Sequence, residues 1–127
     1  MSEIITDKLT GRATANDVTV TVGATATQSL EQGLAKSWMN LTGTGTIAVN
    51  DSLNVTSCTD VSTGKYKPQF TNSFNTTRYT PQCIDDNYGV GWVNAYATGE
   101  CQNVRANNTF TVNDPTTVSF SAHGDLA

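Results

Sequence analysis

The residues of this chain that could do chemistry are few and poorly spaced for it. The one histidine, His123, stands in a closing HGDLA two positions before Asp125. A His–Asp pair that activates a serine needs a strained turn such as GxSxG to present the hydroxyl, and the sequence has none. One imidazole cannot found a histidine-based metal site, and neither CxxC nor HxxxH spacing occurs. Asp85 and Asp86 are adjacent carboxylates, but they lack the alternating acids and the glycine of a calcium loop. A solvated turn is the expectation there. Sequons begin at Asn40, Asn54, Asn75 and Asn107, among others, as chance supplies in a chain this rich in Asn and Thr. Neither an enzyme nor a cofactor is expected.

The cysteines, Cys58, Cys83 and Cys101, are odd in number and widely spaced, which makes a poor disulfide framework. Reduced, mostly buried thiols are expected, although Cys83 and Cys101 could pair if their strands are neighbours.

Charged residues are only 14% of the 127, and Thr, Asn and Ser take their place. Threonine favours strands, and Asn and Ser favour turns. A core this small buries modest area, so subunit contacts are expected to add to it. The net charge of −4, with the basic residues scattered, argues against a nucleic-acid partner. No apolar run approaches the ~20 residues of a membrane-spanning helix. The opening MSEIITDKLT lacks the basic flank and apolar centre of a secretory signal.

The elements predicted from pattern are mainly β. Residues 1–28 read as an extended arm. Val18, Val20 and Val22 alternate with threonines there, as in a half-buried strand that needs a partner from the main domain, a sister subunit or a larger particle. Residues 29–41 read as a short amphipathic helix. Ser29 and Gln32 suit a capping box, and Leu30, Leu34, Trp38 and Leu41 fall on one stripe. The stripe would cover the β-core of its own subunit or meet other copies around an axis, and periodicity weighs these equally. Residues 42–127 read as an antiparallel β-sandwich of short strands. Candidate strands are Thr46–Val49, Leu53–Thr56, Lys65–Thr71, Tyr88–Ala97, Asn108–Asn113 and Thr117–Ala122, with turns at Asn50-Asp51, Ser62-Thr63-Gly64, Asn75–Pro81, Asp85-Asp86-Asn87, Thr98-Gly99 and Asp114-Pro115. In Tyr88–Ala97, the residues Tyr88, Val90, Trp92, Asn94 and Tyr96 share one face, which is either core or contact surface, with core favoured because large aromatics dominate small cores.

The segments SEIITDKLTGRATANDVTVT and QGLAKSWMNLTGTGTIAVNDSLNVTSCTDVSTGKYKPQF, with the closing HGDLA, resemble a family of small tail-fibre-like virion proteins of phages, notably those of marine and aquatic bacteria. The resemblance rests on Ala35, Lys36, Trp38, Asn40, Gly43, Gly45, Ser52, Asn54, Val55, Thr59, Asp60, Gly64, Tyr66 and Phe70. Leu41 and Leu53 stand where the family has Phe, and Cys58 where it has Ile. It fades between Asn75 and Asp114.

The resemblance implies a homotrimeric virion protein, assembled in the host cytoplasm and carried on the tail or the capsid surface. Its N-terminal arm would dock on other virion proteins through Ile4, Ile5, Leu9, Val18, Val20 and Val22. The helix stripe would be the oligomer interface. The β-tip would contact a host glycan or protein, with Arg78, Tyr79, Asp85, Asp86, Tyr88, Asn103, Asn107 and Asn108 as candidate contacts. A capsid decoration protein, head fibre or adaptor is the structural alternative, and a free carbohydrate-binding module a third. No nucleic-acid partner and no membrane insertion are implied.

Overall fold

The computed structural model describes residues 6–10, 18–22, 25–31, 33–86, 89–107 and 109–127. The chain divides into two compact units, residues 1–34 and 35–127. Among the described residues there is no helix, and every strand pairing is antiparallel.

In the first unit, β1 (Thr19–Val22) pairs with β2 (Ala26–Ser29), in register from Thr19 opposite Ser29 to Val22 opposite Ala26. The Val/Thr alternation therefore makes a strand, as its period of two requires. Within the chain, the strand it pairs with is the next stretch of sequence, β2. The Leu30 amide extends the ladder by donating to the Val18 carbonyl at 2.7 Å.

Among the described residues the second unit holds eight strands: β3 (Ser37–Thr42), β4 (Ala48–Leu53), β5 (Val55–Ser62), β6 (Lys65–Phe70), β7 (Thr80–Asp85), β8 (Val90–Tyr96), β9 (Cys101–Ala106) and β10 (Thr117–His123). They form two four-stranded sheets with orders β4-β3-β10-β7 and β5-β6-β9-β8.

The helix predicted over 29–41 is absent, and its residues are shared between the units. Ser29 ends β2, and Ser37 to Leu41 lie in β3. The stripe spacing that indicated a helix is overruled by alternation within β3. Ser37, Met39 and Leu41 are buried, while Trp38, Asn40 and Thr42 are half-buried on the other face. Both flanks of β3 are occupied, by β4 and β10, so its backbone groups are paired without a helix.

The predicted break at Asn50-Asp51 is likewise a bulge inside β4, where the register slips between Asn40 and Leu41. The true break is one residue long. Asn54, between β4 and β5, turns the chain from one sheet to the other with φ of 58°. Few residues besides glycine accept that conformation, and Asn is one of them. Its side chain also holds Asn72, accepting from the Asn72 amide at 2.7 Å and donating to the Asn72 carbonyl at 3.0 Å. Replacing Asn54 by Ala removes both bonds and strains the corner. We expect a loss of about 2 kcal/mol in a denaturant melt. A loss under about 0.5 kcal/mol would show that the corner carries no strain.

The turn predicted at Thr63-Gly64 is a two-residue hairpin between β5 and β6. Gly64 has φ of 65°, and its amide donates to Asp114 Oδ1, which also accepts from the Tyr66 hydroxyl at 3.0 Å. One cluster of buried side chains draws on both sheets. It contains Met39 and Leu41 of β3, Tyr66 and Phe70 of β6, Cys101 of β9, and Val118, Phe120 and Ala122 of β10. Phe74 and Tyr79, from the connection between β6 and β7, complete it.

Candidate functional site

The expected contact residues are not brought together. Ile4 and Ile5 of the expected docking set, Gln32 of the capping box, and Tyr88 and Asn108 of the receptor set lie outside the described residues. Leu9 and Val20 are 62% and 46% exposed, and Val18 is half-buried. Of the expected oligomer stripe, Leu34 is 55% exposed and Leu41 is wholly buried in the core of its own subunit. Trp38 faces the opposite side of β3 from Leu41, because successive strand residues alternate. Leu30 is half-buried in the first unit. The stripe is therefore not one surface.

Several expected receptor contacts are interior. Tyr79 is 5% exposed, stacks on Phe74 at 4.2 Å, and donates its hydroxyl to the carbonyls of Ala97 and Glu100 at 3.0 and 2.9 Å. An aromatic that sequence alone places in a loop is thus a core residue with a satisfied polar tip. Asn103 is wholly buried on β9, next to Tyr66 of β6 and Val93 of β8.

Asp85 forms a fully buried ion pair with Arg105. The Arg105 Nε donates to Asp85 Oδ2 at 3.0 Å, Nη2 lies 2.6 Å from the same oxygen, and Nη1 donates to the Cys83 carbonyl at 2.9 Å. The other carboxylate oxygen accepts from the Gly89 amide at 3.1 Å. Two charges drawn from opposite sheets are stable here because each meets the other and a backbone group. The guanidinium passes over Gly91, where any Cβ would collide with Arg105 Nη1. Arg78 and Asp86 are exposed. Asn107 is half-buried, and its side-chain oxygen accepts from the amides of Thr109 and Thr111 at 3.0 and 2.9 Å, so it shapes its own loop.

Sequence reasoning placed the aromatic face of Tyr88–Ala97 in the core, and the structure turns it outward. Trp92 and Tyr96 on β8 are 43% and 46% exposed. The register slips between Val93 and Ala95, which brings Ala95 opposite Gln102 and Tyr96 opposite Cys101. Around them lie a polar pair and an ion pair. Gln102 donates to Asn94 at 3.0 Å, and Lys67 lies 3.0 Å from Glu100. That donation from Lys67 holds the Glu100 carboxyl below its ordinary range. Both partners are partly exposed, so the pair adds little stability. A shallow pocket of about 230 Å³ lies here, lined in part by Lys67, Tyr96, Glu100 and Gln102.

The outer face of the other sheet is polar and nearly uncharged. Asn50 donates to Asn40 at 2.9 Å and to Thr42 at 3.1 Å, and Asn40 donates to Ser119 at 3.4 Å. This ladder crosses β4, β3 and β10. A groove of about 360 Å³ follows it, over Gln82, Ile84, Ser119 and Ser121.

All three cysteines are free thiols. Burial pushes the Cys58 and Cys101 thiols up to about 12 and the Cys83 thiol up to about 11. Thiols held neutral by burial support the fold undiminished below the ordinary thiol range. That support is lost as pH climbs through it toward 11 to 12, because the unfolded chain ionises first. Reduced protein should therefore melt at lower denaturant at pH 10 than at pH 7. Ellman's reagent at pH 8 should react slowly with the native chain and release three equivalents after unfolding. Reaction of any native thiol at the rate of free cysteine would contradict its burial.

Among the described residues no group of three or more His, Cys, Asp or Glu side chains is placed to hold a metal ion. Compared with models of protein families, with characterised proteins and with solved structures, the chain finds no match.

Proposed function

We propose that this chain is a phage virion protein, a tail fibre or fibre-tip subunit whose second unit contacts the host surface. The observation that carries this reading is the outward placement of Trp92 and Tyr96 on β8, beside Asn94 and Gln102. Exposed aromatics set among amides are the composition of a recognition surface, since they offer large rigid contact area with little entropy to lose. The division of the chain after Leu34 suits a docking unit followed by a contacting unit. The resemblance described above supplies the virion setting.

In this reading the two sheets lie face to face as a sandwich over their shared core, and copies of the chain associate as a homotrimer. The role is binding, with no reaction and no cofactor. A host-surface glycan or protein is the partner, and the remaining virion proteins receive the first unit.

Immunogold labelling of intact virions with antibody to residues 45–127 tests the setting. Gold at the tail is expected. Gold over the head would make this a decoration protein or head fibre, and no gold on any particle would remove the virion premise. Purified full-length chain should also compete with adsorption of the virion to host cells.

A further inference from the structure

We infer that the outer face of the β4-β3-β10-β7 sheet binds one ring of a neutral sugar, in the groove between β7 and β10. The inference rests on the attachment role proposed above and adds to it a second contact, on the sheet that does not carry Trp92 and Tyr96.

The groove, about 360 Å³, falls within the usual range for small-ligand sites. Its outward side chains form a square, with Ser119 opposite Ile84 and Ser121 opposite Gln82. The two serines are short and make a low floor. Ile84, 66% exposed, and the longer Gln82 stand above it on β7. Cys83 and Phe120 complete the lining, and since their side chains belong to the core they offer backbone there.

Across β10 the same rows continue. Trp38 stands opposite Ser121, and Asn40 opposite Ser119. Directly opposed residues have Cβ atoms ~5 Å apart, so Trp38 is rooted beside the serine floor, next to the residues that line the groove. The amide ladder from Asn50 through Asn40 to Ser119 fixes the polar groups before any ligand arrives.

A pyranose has two kinds of surface. Its C–H face packs on aromatic and branched aliphatic side chains, and its hydroxyl rim both donates and accepts hydrogen bonds. Trp38 and Ile84 suit the first, and Ser119, Ser121, Gln82 and Asn40 suit the second. Serine hydroxyls and carboxamides are the side chains that can donate and accept together, as the rim requires. None of the six lining residues carries a charge. A phosphate, carboxylate or ammonium would give up its hydration there without a counter-charge. A neutral ring exchanges the water on its hydroxyls for hydrogen bonds to the serines and carboxamides and leaves no charge unpaired. The Lys67–Glu100 pair excludes the same argument on the other sheet.

The test uses the full chain, titrated with maltohexaose, cellohexaose, laminarihexaose and mannohexaose, and read by saturation-transfer NMR and tryptophan fluorescence. Binding of at least one hexasaccharide is expected. Trp38→Ala should weaken it about tenfold. Ser121→Tyr, a surface change that fills the floor without touching the core, should abolish it. Val61→Ala on the other sheet should leave it unchanged. Circular dichroism and a denaturant melt confirm that each variant folds, and Gln82→Ala stands in if one does not.

Equal binding by wild type and by both groove variants would overturn the inference. So would the absence of binding to all four sugars. In that case continued competition with host adsorption would leave the attachment reading standing, whereas loss of competition would remove both. A drop in oligomeric mass on Ser121→Tyr, with no sugar bound by the wild type, would assign the face to a second copy of this chain and likewise overturn it.

Discussion

Arg105→Met should cost about 3–5 kcal/mol of unfolding free energy, the cost of leaving Asp85 buried and charged with its partner gone. That is a large share of the ~5–15 kcal/mol that holds a typical domain folded. Both side chains of the pair have no solvent exposure, so water cannot replace the guanidinium. The arginine also bridges β9 to β7, strands of different sheets, through the carboxylate and through the Cys83 carbonyl. Its loss removes a tie between the two sheets as well as a charge.

Guanidinium melts followed by circular dichroism would measure the effect. The double replacement Arg105→Met with Asp85→Leu is the informative control. Buried pairs exchanged for apolar groups are often neutral, so the double variant should recover most of what the single one loses. If the single variant loses less than about 1 kcal/mol, the pair is not the tie described here. Gly91 belongs to the same device. Gly91→Ala would push a methyl into the guanidinium, and its cost should shrink in the Arg105→Met background.

Phe70→Ala should cost a similar amount, about 3–5 kcal/mol, by a different mechanism. Phe70 ends β6 and is 7% exposed. Its ring meets Phe74 edge-on at 5.0 Å, Tyr79 edge-on at 5.8 Å, and Phe120 in a stack at 6.2 Å. It thereby joins one sheet, the connection after it, and β10 of the other sheet. Truncation opens a cavity whose walls are held by three separate elements, so they cannot collapse together. Trp92→Ala removes a larger side chain from an exposed position and should stay within about 0.5 kcal/mol. A Phe70→Ala variant as mild as Trp92→Ala would show that the aromatic cluster is not the centre of the core.

Part of this architecture was legible in residue order. The strands β6 and β10 announce themselves by alternation, and Thr63-Gly64 by the positive φ that glycine permits. β7 and β9 were missed, because TPQCID and CQNVRA mix proline, acids, amides and arginine in positions that elsewhere mark loops. Their charged residues are interior, and a rule that puts charge outside misreads them. The helix expected over 29–41 fails for a related reason. Leu30, Leu34, Trp38 and Leu41 recur at helical spacing, while the alternation that wins in β3 has a serine, Ser37, at one of its buried positions. The outward turn of Trp92 and Tyr96 was equally unreadable, since large aromatics most often fill cores.

What residue order alone determined is the class of this protein: a low-charge, threonine-rich chain commits to strands and turns. Tertiary structure decided which face of each strand is buried and which partners each strand takes. It also decided that Asp85 and Arg105 meet inside. Alternation is local, whereas the environment on either side of a strand is built by residues far away in the chain, such as Met39 beside Phe120 or Asp85 beside Arg105.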